Sequence, residues 1–91
     1  MKQIIISPDV KRKLQRLQIK DHKLSQKVRK QLKLFKENPH HPSLRLHKIK
    51  RDVKNVWSMS LDGSFRMLYV ESEEDYYFFE LGNHDEVYRK Q

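Results

Sequence analysis

The chain opens on a short apolar run. Ile4, Ile5 and Ile6 stop at Ser7-Pro8, a β-branched stretch over residues 2 to 7 that predicts a strand running directly into a helix start. Ser7 suits the cap, Pro8 the first helical position, and Asp9 the positive end of the helix dipole. Val10, Leu14 and Leu17 then recur at helical spacing, predicting a helix over roughly residues 9 to 19 whose other face is Lys11, Arg12, Lys13 and Arg16. After a polar break at Lys20 to Lys23, the stripe Leu24, Val28, Leu32 and Phe35 predicts a second helix that ends near Glu37. Asn38-Pro39 stops it, because proline restricts the residue before it and cannot donate to the helix ladder. So brief a link makes the two helices antiparallel neighbours.

His40 to Ser43 reads as a connector, and from Leu44 the period changes. Leu44 and Leu46 alternate with Arg45 and His47, predicting a short strand before a basic loop around Lys50, Arg51 and Asp52. Trp57, Met59 and Leu61 alternate with Ser58 and Ser60, an Asp62-Gly63 turn follows, and Phe65 to Val70 forms the returning strand of a hairpin. Glu71 to Asp75 is a polar turn, Tyr76 to Leu81 the last strand, and Gly82-Asn83 its end. Three strands joined by short turns must be antiparallel, whereas the first strand, two helices away, is free to pair with any of them. The expected architecture is a single α+β domain over residues 1–91, an N-terminal strand and a two-helix hairpin packed on an antiparallel sheet.

At 91 residues one core must serve, and with 36% hydrophobic against 35% charged residues that core is lean. There is no cysteine, hence no disulfide framework and no thiolate metal site. The N-terminal apolar run is too short for a signal peptide or a membrane span, which predicts a cytoplasmic protein. Charge changes the picture most. Residues 1 to 60 hold 17 Lys or Arg against 4 Asp or Glu, while residues 61 to 91 hold 3 against 8. That polarity points to an anionic partner for the helical and central part of the chain: nucleic acid, an acidic protein or anionic lipid.

Three groups carry candidate chemistry. Arg66 stands in an otherwise apolar strand; its guanidinium must reach a surface, where planar donors suit a phosphate, or pair internally, with Glu80 on the next strand. In the tail after Gly82-Asn83, His84 offers proton exchange near neutral pH and Tyr88 a hydroxyl and a stacking ring, although an aromatic there also suits packing. In the run His47 to Arg51, Lys48, Lys50 and Arg51 can neutralise phosphates and His47 adds an acid or base. The acidic turn lacks the ligand alternation and glycine of a calcium loop, and His40-His41 has no third ligand, so no metal site is expected.

The run HPSLRLHKIK, the segment VWSMSLDGSFRMLYV and the tail FFELGNHDEVY together resemble the RelE/ParE superfamily of bacterial toxins from type II toxin-antitoxin modules, the RelE, YafQ and plasmid-stabilisation branches above all. The resemblance spans nearly the whole chain. It implies a microbial RNase-like fold, a ribosome-dependent, metal-independent and cofactor-free endoribonuclease that cuts mRNA, and a cognate antitoxin partner. By position, Arg66 matches the arginine that holds the scissile phosphate, His84 a tail histidine of proton transfer, and Tyr88 the tail aromatic. His47 falls near a second active-site histidine, while Lys48 and Lys50 lie where such toxins place lysines. Glu80 stands where several relatives have another arginine, and Leu61 replaces a histidine of the YafQ-like branch. These departures keep two alternatives in view: a ParE-like inhibitor of DNA gyrase, and a non-catalytic member that binds antitoxin or nucleic acid.

Overall fold

The computed structural model describes residues 2–49, 55–83 and 87. Strand β1 (Gln3–Ile6) leads into helix α1 (Pro8–Lys20), followed by helix α2 (His22–Glu37), a 3₁₀ turn (Pro42–Leu44) and strands β2 (His47–Ile49), β3 (Val56–Asp62), β4 (Phe65–Glu71) and β5 (Asp75–Asn83).

The helix boundaries follow from their caps. Ser7 accepts from the Val10 amide at 3.2 Å and Pro8 occupies the first turn, so α1 starts where the sequence signals place it. The break between the helices is narrower than the polar run suggests. Asp21 alone makes it: its amide donates to the Leu17 carbonyl at 2.8 Å, closing α1, and its side chain accepts from the Leu24 amide at 3.1 Å, opening α2. A carboxylate at the N-terminus of α2 is also favourable to that helix dipole.

The strand expected from Leu44 begins three residues later. Pro42 pre-sets a helical φ, and His41 Nδ1 accepts from the Ser43 amide at 3.1 Å, so the chain makes one 3₁₀ turn that buries Leu44 completely. Arg45 then takes a left-handed conformation, φ 46°, which breaks any extended run before His47.

The sheet order is β1-β5-β4-β3-β2, antiparallel throughout except that β1 runs parallel to β5, pairing Gln3 to Ile6 with Asp75 to Phe78. The sheet is therefore mixed: β1 and β5 are far apart in the chain and joined by no tight turn, so a parallel pairing is open to them. Gly63, φ +45°, opens the two-residue loop between β3 and β4. Both helices cover one sheet face. Val10, Val28 and Phe35 pack there against Met59, Leu61, Met67, Tyr69, Phe78 and Leu81. Phe35 is fully buried and stands edge-on to Tyr69, Tyr76 and Phe78, at 5.1, 4.8 and 5.4 Å between ring centroids. These contacts anchor α2 to the strands that carry the opposite face.

Candidate functional site

Strand alternation sorts the candidate residues between two faces. On β4, Phe65, Met67 and Tyr69 turn toward the helices, so Arg66 and Leu68 turn away. On β3, Trp57, Met59 and Leu61 face the helices, which puts Ser58 and Ser60 on the same side as Arg66. Leu61, where the resemblance offered a histidine, is a buried core residue at the register shift between Ser60 and Asp62.

The face opposite α1 and α2 consists of cross-strand rows. His47, Ser58, Leu68 and Glu80 form one row across β2, β3, β4 and β5; Ser60, Arg66 and Gly82 form the next. Adjacent rows lie about 7 Å apart, the rise of two strand residues. On the other side of the first row, Ile49, Val56 and Val70 join Leu68 and Val87 in a second, smaller apolar cluster. Val87, a helical residue 1% exposed, packs on this face.

Arg66 is held at three points. Its Nε donates to Ser58 Oγ, and its Nη2 donates to the Arg45 carbonyl at 2.7 Å and to the Ser58 carbonyl at 3.3 Å. The guanidinium thus reaches over β3 toward the connector before β2, ending beside the strand that starts with His47. Three acceptors engaged by Nε and Nη2 leave its plane little freedom, and a fixed guanidinium suits recognition of a tetrahedral anion. Glu80 lies diagonally across from it, in the row of His47.

The structure places His47 and Arg66 on one sheet face, in neighbouring rows on β2 and β4, and Lys48 on the other. Lys48 pairs with Trp57, on the helix side, and its ammonium sits 5.9 Å from that ring's centroid. Grouping it with Arg66 fails because consecutive strand residues point to opposite faces. Lys50, Arg51, His84 and Tyr88 lie outside the described residues. Two contributors escaped the sequence reading. Ser58 carried a readable signal, a small polar residue alternating with the core positions of β3. Arg45 carried none, since its left-handed backbone depends on how the 3₁₀ turn meets the sheet. Among the described residues no group of three His, Asp or Glu is arranged to hold a metal ion, and no helix is long and apolar enough to cross a membrane.

No family model and no curated relative matches the sequence. Solved structures do. A YoeB/ParE toxin from Agrobacterium tumefaciens superposes with a TM-score of 0.74 at 15% identity, covering 90% of this chain and 98% of that one. The chain has the RelE/ParE toxin fold. YafQ from Escherichia coli gives 0.71 at 16% identity, covering 97% of this chain and 99% of its own. A YoeB-YefM complex from Staphylococcus aureus gives 0.73 at 18%, covering 92% and 98%. The toxin fold here thus spans the full length of its structural neighbours, and the Arg66 face is the sheet surface opposite α1 and α2.

Proposed function

We propose that this chain is the toxin of a type II toxin-antitoxin pair and cuts ribosome-bound mRNA without a metal ion. The observation that supports this most is the Arg66 guanidinium, clamped by Ser58 and the Arg45 carbonyl on the sheet face opposite α1 and α2, one row from His47. A strand of RNA laid on that face would set a phosphate against the guanidinium. His47, or His84 from the tail, takes the proton of the adjacent 2′-hydroxyl, and the freed oxygen attacks phosphorus. Arg66 opposes the charge that grows on the phosphorane oxygens. Tyr88 or the second histidine protonates the departing 5′ oxygen, leaving a 2′,3′-cyclic phosphate and a 5′-hydroxyl. Lys50 and Arg51 would add phosphate contacts from their loop. Structural neighbours solved with antitoxins, the YoeB-YefM and DinJ-YafQ complexes, favour a protein partner that restrains the activity.

The test is to add the protein to a translating extract and map message ends. Codon-phased cuts bearing 5′-hydroxyls that disappear with Arg66→Ala support the reading; intact message refutes it. Glu80, a carboxylate in the row of His47, favours a second reading in which this face binds without cleaving, as in a gyrase inhibitor. Inhibition of gyrase supercoiling by the same preparation, with message left intact, would select it.

A further inference from the structure

β1 covers β5 only from Asp75 to Phe78, so the outer edge of β5 beyond that point is bordered by α1 instead of a strand. Between the two runs a cleft of about 200 Å³. Leu17, Phe65 and Leu81 make its apolar floor, and Lys13, Arg16 and Lys20 stand around it. Lys13 Nζ donates to the Leu81 carbonyl at 3.1 Å, which ties α1 to the strand edge and fixes one cation at the rim. Arg16 and Lys20, one helical turn or about 6 Å apart, form no hydrogen bond or ion pair among the described residues. Their charges are therefore available to a ligand.

The cleft and the Arg66 site meet the same strand ends from opposite faces of the sheet. Phe65 precedes Arg66 on β4, and Gly82 is the residue paired with Arg66 on β5, so the two sites lie on either side of the same strand ends. Gly82 raises no side chain where a ligand would cross from one to the other. Toward the start of α1 a neighbouring cleft of about 390 Å³ is bordered by Asp9 and Glu80 as well as by Arg12, Lys13 and Arg16, with Arg12 already bonded to Asp9. The carboxylates there offset much of the positive charge, whereas the lining of the Arg16–Lys20 end includes no acidic residue.

We propose that the α1/β5 cleft is a second RNA subsite, seating one base on Phe65 and the leucines while Arg16 and Lys20 hold the flanking phosphates of the strand whose scissile phosphate lies at Arg66. This rests on the RNA reading of the Arg66 face. An aromatic floor with unpaired cations suits single-stranded nucleic acid, because stacking and phosphate contact act together.

The test titrates the full chain with a cleavage-resistant 2′-O-methyl hexanucleotide, following backbone amide resonances and the salt dependence of binding. Resonances of Leu17, Phe65 and Leu81 should move along with those of Ser58 and Arg66. In Arg16→Gln/Lys20→Gln, both exposed positions, the cleft shifts should vanish and the slope of log K against log salt should fall by roughly 1.4, about 0.7 for each single-strand phosphate that is no longer neutralised. An unchanged slope, shifts confined to Ser58 and Arg66, or no RNA binding at all would overturn the subsite. So would cleft shifts caused by an acidic Glu/Leu hexapeptide and not by RNA, which would assign the cleft to a protein partner. Cleft binding without message cleavage would sustain the subsite and sink the nuclease; cleavage with an unchanged slope would do the reverse.

Discussion

Replacing Ser58 with alanine takes one oxygen from beneath Arg66 and leaves the packing otherwise intact, since the side chain is fully buried and only a hydroxyl is removed. Arg66 Nε is deprived of its acceptor, while Nη2 keeps the carbonyls of Arg45 and Ser58. A hydrogen bond to a charged group contributes about 1.5–3 kcal/mol when its removal strands a buried partner. The guanidinium is half-buried, so water can partly replace the hydroxyl, and the expected cost is at the lower end, about 1–2 kcal/mol. Urea unfolding followed by circular dichroism and by Trp57 fluorescence measures it. With a slope near 1 kcal/mol per molar urea, the midpoint should drop by roughly 1–2 M. The decisive measurement is the double-mutant cycle with Arg66→Ala. If the hydroxyl acts through the guanidinium, Ser58→Ala should cost little once Arg66 is gone, leaving a coupling of about 1–2 kcal/mol. A coupling below about 0.5 kcal/mol would refute the clamp. The same single variant should slow message cleavage while the protein remains folded.

Two other outcomes follow from the core and the helix link. Burial, and after it the nearby Glu71 and Tyr76, push the Tyr69 hydroxyl well above the ordinary tyrosine value. The unfolded chain then releases this proton near pH 10 and the folded one does not, so stability is intact below about pH 10 and falls as pH rises above it, by at most about 1.4 kcal/mol per unit. Tyr69→Phe should flatten the alkaline loss of melting temperature relative to wild type; parallel curves above pH 10 would count against it. Asp21→Ala should remove the cap of α2 and cost about 1 kcal/mol, read as a lower urea midpoint with an unchanged slope.

Much of the fold was legible because its signals are local. Ser7-Pro8, the stripe from Val10 to Leu17 and the stripe from Leu24 to Phe35 each specify a helix through caps and spacing contained within one segment. The alternation Trp57-Met59-Leu61 against Ser58-Ser60 likewise specified a strand and its inward face. The reading failed at Leu44, where alternation over three residues could not distinguish a strand from a 3₁₀ turn burying one leucine. Only the β2–β3 register, set by hydrogen bonds between distant segments, removed Lys48 from the face of Arg66.

Sequence by itself determined the elements, the two-faced strands and an arginine that had to find polar partners, because period, capping and the cost of burying charge act over a few residues. Tertiary structure decided that β1 joins β5 in parallel, that the Arg45 carbonyl and Ser58 are those partners, and that α1 borders the open edge of β5. These are meetings of residues 8 to 72 positions apart. No local pattern encodes them; they emerge when one small core draws α1 and α2 onto a single face of the sheet and leaves Arg66 on the other.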